Sequence, residues 1–173
     1  ITSYAALAAI AIQSNQNDQH GGQSIPAFDY YMAPGVLHTF KRQFQQYTFD
    51  YLELFDKADV SLIDKIDTFD TIDLDVQDFE TLTKDKEVID LIEKAYNKAL
   101  RMTNRQTFQA MEAFIHNLNT MHSRAGAQVP FSSINFGTDT SPEGRMVINN
   151  YLLALEDGLG KGETPIFPIS IFK

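Results

Sequence analysis

The spacing of apolar residues predicts helices over much of the first two thirds of the chain. Residues 3–14 combine strong helix formers with no charge, which predicts a buried helix. Over 35–55, apolar and mostly aromatic residues recur every three or four positions, as in an amphipathic helix whose aromatic stripe lies in a core or a helix–helix interface. The same spacing predicts two further structural helices, over 87–102 and 106–122, separated by a short break.

The last part of the chain instead predicts a strand, a helix and a second strand. Residues 128–137 alternate with apolar side chains on both faces, which suits a strand covered on both sides in an α/β sheet or barrel. Ser141 is a favourable N-cap for the next helix, and Gly158 is a favourable stop. We expect this helix to bury Val147, Ile148, Tyr151, Leu152 and Leu155. With a second apolar strand at 165–172, the pattern predicts a right-handed βαβ unit with parallel strands and an α/β fold class.

Residues 56–86 fit neither a strand nor a long helix, because an aspartate follows an apolar residue at every third position over part of the segment. A calcium-binding loop is excluded, since the run that starts at Asp73 lacks the glycine and the glutamate of such loops. An acidic, solvated insertion is the better interpretation. The acidic excess of residues 56–93 equals the whole formal charge of −9, and no basic patch is visible elsewhere. A nucleic-acid polymer is therefore an unfavourable partner.

Composition excludes several classes of site. The chain has no cysteine, so it contains no disulfide, no thiolate metal site and no cysteine nucleophile. His20 shows no metal-site spacing with the other histidines, so no metal is expected. The longest apolar run, Tyr4 to Ile12, is too short to span a membrane, and no signal peptide is visible, so we expect a cytoplasmic location. The chain opens on a helix without an initiator Met, which suggests a piece of a longer protein.

Two polar regions are candidates for ligand contact. The turn Gly137–Thr140 follows a predicted strand and precedes a predicted helix, where backbone donors and hydroxyls can hold an anionic or hydroxylated ligand. On the strand itself, Ser133 and Asn135 share one face, as ligand contacts or as polar core groups satisfied by backbone. The amide-rich stretch 15–24 contains a glycine pair, and it is either a loop packed against a polar group or an ordinary surface loop.

Three runs carry a family resemblance. SRAGAQVPFSSINFGTDTSPEGRM (123–146) and GKGETPIFPI (160–169) closely resemble the anaerobic (class III) ribonucleoside-triphosphate reductases. AAIAIQSNQNDQHGGQSIPAFD (8–29) is similar to the same family. These motifs cover both flanks of the chain, whereas the acidic middle, about 56–100, matches no motif.

The resemblance implies an interior slice of a much longer glycyl-radical enzyme. Such enzymes reduce ribonucleoside triphosphates at C2′ inside a ten-stranded α/β barrel, through a cysteine thiyl radical that a glycyl radical generates. An iron–sulfur activase that uses S-adenosylmethionine installs the glycyl radical, formate is the usual reductant, and ATP and zinc bind in other regions. Because this chain has no cysteine, the resemblance implies no catalytic residue here, and we expect residues 1–173 alone to be inactive.

Within that family, residues 1–173 would form part of the catalytic barrel domain. The expected parts are a helical segment with a polar, glycine-rich loop (1–55), the acidic insertion (56–86), helices (87–123) and the strand–helix–strand unit (124–173).

The resemblance also implies roles for the polar residues. Ser133 and Asn135 would face the nucleotide substrate in the barrel. The loop through which a nucleoside triphosphate effector sets substrate choice would comprise Gly137, Thr138, Asp139, Thr140 and Ser141. A polar loop near the active site would contain Asn17, His20, Gly21, Gly22 and Gln23.

The family forms homodimers with the effector at the dimer interface, for which the helices at 35–55 and 106–122 are candidates. Two alternatives remain. One is a non-catalytic regulatory or dimerisation module, and the other is a glycyl-radical enzyme of the pyruvate formate-lyase type.

Overall fold

A computed structural model describes residues 1–19, 21–122, 128–160 and 162–173. The described helices are α1 (Thr2–Asp18), α2 (Phe28–Leu54), α3 (Val60–Lys65), a 3₁₀ turn (Ile66–Thr68), α4 (Val76–Leu82), α5 (Lys86–Thr120) and α6 (Pro142–Asp157). The described strands are β1 (Gln23–Ile25), β2 (Ser132–Phe136) and β3 (Ile169–Phe172). Residues 1–35 and 106–173 form one compact unit, and residues 36–105 form another.

Three parallel strands form the sheet of the first unit, in the order β1-β2-β3 within the described residues. Gln23 pairs with Ser132, and Ser133 pairs with Ile169. The predicted parallel pairing of the two strands that flank α6 is confirmed, and the helices with a parallel sheet agree with the α/β class. Strand β1 was not predicted, because three residues are too few to carry a readable alternation.

Helix α1 differs from its prediction at its end and on one face. It continues to Asp18, so Asn17 belongs to the helix and not to the predicted polar loop. Only Ala5, Ala9, Ile12 and Gln16 are buried in the helix. Leu7 and Ile10 are 65% and 56% exposed, so the prediction of a buried helix is wrong for this face. An uncharged, alanine-rich pattern identifies the helix without specifying which face is covered.

Two further helices are longer than the local signals indicate. Helix α2 begins at Phe28 instead of Gly35 and contains Pro34, a residue that removes a backbone donor and usually argues against a helix interior. Helix α5 runs unbroken from Lys86 to Thr120, so the predicted break between two helices is absent. Thr103 is fully buried there, and burial of this kind overrides the modest helix propensity of threonine.

The helix between β2 and β3 follows its sequence signals closely. Ser141 caps it by accepting a hydrogen bond from the Gly144 amide at 3.0 Å, and Gly158 ends it with φ 73°. Tyr151 is buried against Phe28 and Phe136, with ring centroids 6.0 and 5.7 Å away. Val147 is buried as predicted, whereas Leu152 is 45% exposed and the expectation of its burial is wrong.

In the second unit the acidic segment is folded and packed. The Tyr96 hydroxyl donates to the Ile72 carbonyl at 2.8 Å and accepts from the Leu74 amide at 3.2 Å. The Phe79 ring lies 5.3 Å from the Tyr96 ring, and burial raises the pKa of Tyr96 above its usual value. Leu62, Ile66, Ile72, Leu74, Phe79 and Leu82 are buried. The expectation of a solvated insertion therefore fails for the apolar positions of this segment.

Candidate functional site

A cavity of about 500 Å³ lies at the amino ends of the three strands in the first unit. Gly21, Gly22, Gln23 and Ser133 line it, which brings together four of the residues predicted from the sequence. The other described lining residues are Gln16, Ser24, Gln128, Val129, Phe131, Ser132 and Ile169. None of these lining residues is charged, so the cavity offers amides, hydroxyls, backbone groups and apolar surface.

The Phe131 carbonyl organises the inner wall of this cavity. The Gln16 side-chain amide donates to it at 2.7 Å, and the Gln23 backbone amide donates to it at 2.9 Å. The two donors come from the last turns of α1 and the start of β1, so this one oxygen ties both elements to the chain that enters β2. Gly21 has φ 117°, a conformation that favours glycine, which explains the glycine at the turn between α1 and β1.

The predicted residues do not all meet at this cavity. Ser133 lines it, but Asn135 and Asn17 are not among the residues that do. His20 lies outside the described residues. The loop Gly137–Ser141 follows the carboxyl end of β2, whereas the cavity lies at the amino end. The structure therefore places Ser133 and the predicted specificity loop at opposite ends of β2, whereas Asn135 lies near the loop end of the strand.

Strand β2 presents polar atoms on both of its faces. Ser132, Ile134 and Phe136 are buried, while Ser133 and Asn135 are half-buried. The Ser132 hydroxyl and the Asn135 side-chain oxygen are buried and have no hydrogen-bond partner among the described residues. Buried polar atoms without a partner are uncommon, and they mark positions where a ligand or water can supply the missing bond.

At the carboxyl end of β2, the backbone donors of the turn are already engaged. The Gly137 and Asp139 amides both donate to Oδ2 of Asp29, at 2.9 and 3.1 Å. Asp29 lies in the first turn of α2 and is fully buried. The sequence pattern predicts that this turn can hold an anion, and in the structure the chain's own carboxylate occupies these two donors.

A second carboxylate stabilises the same turn. Oδ1 of Asp139 accepts a hydrogen bond from the Ser141 amide at 2.8 Å. The Asp139 side chain also packs against Gly144 so closely that a side chain at position 144 would overlap it. The turn is therefore fixed by one carboxylate from outside the loop and by one from within it.

Sequence reasoning missed Gln16, Gln128 and Asp29 as members of these sites. Gln16 was assigned to a loop, although its amide and its place near the glycine pair were visible in the sequence. Asp29 carried no readable signal, since its partners lie 108 and 110 residues further along the chain.

The described residues contain neither a metal-binding cluster nor a membrane-spanning helix. No group of three or more His, Asp or Glu side chains there could hold a metal ion. No helix in the described ranges is long and apolar enough to cross a membrane.

Together these features define an α/β protein with an uncharged cavity at one end of a parallel sheet and a carboxylate-anchored turn at the other. The family model described as anaerobic ribonucleoside-triphosphate reductase matches residues 1–173. The chain therefore belongs to the anaerobic ribonucleoside-triphosphate reductase family, a family of oxidoreductases, and the resemblance seen in the sequence is confirmed.

Three curated relatives carry the same description. The protein of Enterobacteria phage T4 is 40% identical over 78 residues, which is 44% of this chain and 13% of the phage protein. The Haemophilus influenzae protein is 35% identical over 80 residues, 46% of this chain and 11% of that protein. The Salmonella typhimurium protein is 33% identical over 82 residues, 47% of this chain and 11% of that protein. The matches thus span little more than a tenth of each relative.

Proposed function

We propose that this chain is part of an anaerobic ribonucleotide reductase and that its uncharged cavity contributes to the nucleotide-substrate site. The observation that carries the proposal is that Gly21, Gly22, Gln23 and Ser133, which lie in the family-like sequence runs, line one cavity. Membership of the reductase family over the whole chain supports the same assignment.

The lining chemistry favours the neutral parts of a nucleotide. Ribose hydroxyls and base edges need donors and acceptors, which glutamine amides, serine hydroxyls and glycine backbone groups provide. A triphosphate needs cationic or multiple backbone donors, and no Lys or Arg is among the described lining residues. The cavity therefore suits a ribose or a base, with the phosphates held elsewhere.

In this proposal the sheet belongs to the ten-stranded barrel of the family. Support comes from β3, which forms one edge of the described sheet and whose residues are all exposed, Ile169 and Phe172 among them. An apolar edge strand of this kind requires a covering partner, and the neighbouring barrel strands would provide it.

The chemical steps are assigned to residues outside this chain. A thiyl radical requires a cysteine, and the chain has none, so the residues present do not fit that role. The glycyl radical, the zinc site, formate as reductant and the iron–sulfur activase that uses S-adenosylmethionine are proposed for the whole protein, which would act in the cytoplasm. The chain's own residues bind and orient the nucleotide.

We also assign Gly137, Thr138, Asp139, Thr140 and Ser141 to the loop that responds to a nucleoside triphosphate effector. The effector and the second subunit of a homodimer would contact α2 and α5. The assignment of a nucleotide site near α2 is supported by a second cavity, of about 440 Å³. Arg42, three glutamines, Phe49 and Ile63 line this cavity. Arginine is well suited to a phosphate, and an aromatic ring is well suited to a base.

The test uses the full-length activated enzyme that contains this chain. Ser133→Ala removes one hydroxyl from the cavity, and we expect it to raise KM for the nucleotide by roughly two- to tenfold, the range for one lost hydrogen bond. Thr138→Ala changes an exposed loop residue, and we expect it to alter the effector-induced change in substrate preference. Ser14→Ala, on the exposed surface of α1, is the matched control.

Unchanged KM in Ser133→Ala would reject the cavity assignment, and an unchanged effector response in Thr138→Ala would reject the loop assignment. Nucleotide binding without any turnover in the wild-type protein would instead support a regulatory module.

A further inference from the structure

We propose that Asp29 is a positioning residue that holds the loop Gly137–Ser141 in its resting conformation and so sets how strongly an effector changes substrate preference. The inference rests on the proposed role of that loop in effector response. Asp29 itself belongs to α2, precedes the loop by more than a hundred residues, and is not among the residues that line the cavity.

The hydrogen-bond geometry makes the loop conformation depend on Asp29. One carboxylate oxygen, Oδ2, accepts from the Gly137 amide at 2.9 Å and from the Asp139 amide at 3.1 Å. The two donors flank Thr138, so hydrogen bonds hold the residues on both sides of it. A conformation in which either amide turns away would leave a fully buried carboxylate with fewer donors, which costs free energy.

No cation shares this task in the part of the chain that the structure describes. The ion pairs seen in the described residues involve Lys41 and Lys57, and neither includes Asp29. The second carboxylate oxygen, Oδ1, is buried and has no hydrogen-bond partner among the described residues. The two loop amides are therefore the stabilising contacts of this carboxylate, and the loop and Asp29 are energetically coupled.

The asymmetry between the two oxygens predicts different results for two substitutions. Asparagine can place its single carbonyl oxygen where Oδ2 lies, and its amide group then falls at Oδ1, where no described hydrogen bond is displaced. Asp29→Asn therefore keeps the two loop contacts. Asp29→Ala removes both and leaves the Gly137 and Asp139 amides without their acceptor.

The experiment compares these variants in the full-length activated enzyme. The effector-induced change in the ratio of kcat/KM between two substrates is measured for each, and hydrogen exchange is measured for the peptide that covers 137–141. We expect Asp29→Ala to reduce the effector-induced change by about three- to tenfold, which lies within the range seen for residues that carry coupling, and to speed exchange in this peptide. We expect Asp29→Asn to retain most of both properties.

Asp70→Ala is the matched control, because Asp70 is an exposed aspartate of the other unit. A residue that only stabilises the fold would lower turnover for all substrates alike and leave the ratio unchanged. The inference is overturned if Asp29→Ala leaves the effector response intact while Thr138→Ala changes it. If neither variant changes the response, the loop assignment under the proposed function fails, and the inference fails with it. If Asp29→Ala does not fold, an effector response in Asp29→Asn as weak as that of Thr138→Ala overturns the inference.

Discussion

The two ends of strand β2 differ in what their polar groups are free to do. At the amino end, the cavity wall presents uncharged amides and hydroxyls beside apolar side chains, and the Ser132 hydroxyl has no described partner. At the carboxyl end, the amides of Gly137 and Asp139 are bound to Asp29, and that of Ser141 is bound to Asp139. The amino end has open hydrogen-bonding capacity, and the carboxyl end has its donors engaged.

This difference changes the meaning of a familiar sequence signal. A polar turn between a strand and a helix is typically read as a place for an external anion. Here an internal carboxylate takes that place, so the chain's own hydrogen bonds fix the conformation of the turn. The open cavity lies at the opposite end of the sheet, where the sequence offered a glycine pair, glutamines and Ser133.

The largest expected effect is a loss of stability, which is tested by comparing substitutions of one glycine from each end. Gly137 has φ 110°, and an added Cβ would lie 2.7 Å from the Lys173 carbonyl oxygen and from the Phe172 ring. We expect Gly137→Ala to lower the free energy of unfolding by about 4 kcal/mol, from backbone strain and overpacking together. Denaturant unfolding measures this change.

Gly21→Ala is the matched control for Gly137→Ala. Its φ of 117° is equally unfavourable for alanine, but nothing lies within 4 Å of the added Cβ. We expect only the strain, about 1–2 kcal/mol. Equal losses at the two positions would contradict the contrast between a crowded carboxyl end and an open amino end.

The next effect is the pH dependence of stability that comes from Tyr151, in the core beside the carboxyl end of β2. Tyr151 packs against Phe136, its hydroxyl is 2.7 Å from the Ser170 hydroxyl, and burial raises its pKa to about 12. The protonated form is neutral, so the folded state retains this proton more strongly than the unfolded state, whose tyrosine titrates near 10.0. Stability from this group is complete below pH 10 and is lost as pH rises towards 12, by roughly 2–3 kcal/mol.

Tyr151→Phe tests this pH dependence. The free energy of unfolding of the wild type relative to the variant should fall between pH 10 and pH 12 and stay constant below that window. A constant difference across the window would show that the phenol is not held in its neutral form.

The sequence predicted those elements whose structure depends on residues close together in the chain. The N-cap Ser141, the following Pro142 and the stop at Gly158 specify α6 within its own sequence, and the parallel pairing of β2 and β3 follows from the intervening helix. Strand β1 could not be predicted in the same way. Its three residues become a strand through pairing with β2, more than a hundred positions away.

In the candidate site too, some residues could be predicted from the sequence, and others could not because their partners are distant in the chain. Ser133 and Gly22 were accessible to sequence reasoning because they lie in family-like runs, and the structure brings them to one cavity. Asp29 was not accessible, because its role depends on two amides 108 and 110 residues away. Thr103 illustrates the same limit for the fold, since its complete burial keeps α5 continuous where local propensity favours a break.

The smallest expected effect lies at the amino end of β2. Gln16→Ala removes the side-chain donor to the Phe131 carbonyl, but the Gln23 amide still donates to the same oxygen. The carbonyl therefore stays satisfied, and we expect a loss of about 1 kcal/mol in the free energy of unfolding, the net value of one hydrogen bond. Gln13→Ala on the same helix is the control, because the Gln13 side-chain nitrogen has no described partner. A loss at Gln16 as large as that at Gly137 would mean that the amino end is as tightly fixed as the carboxyl end, and the contrast between an open and an engaged end would fail.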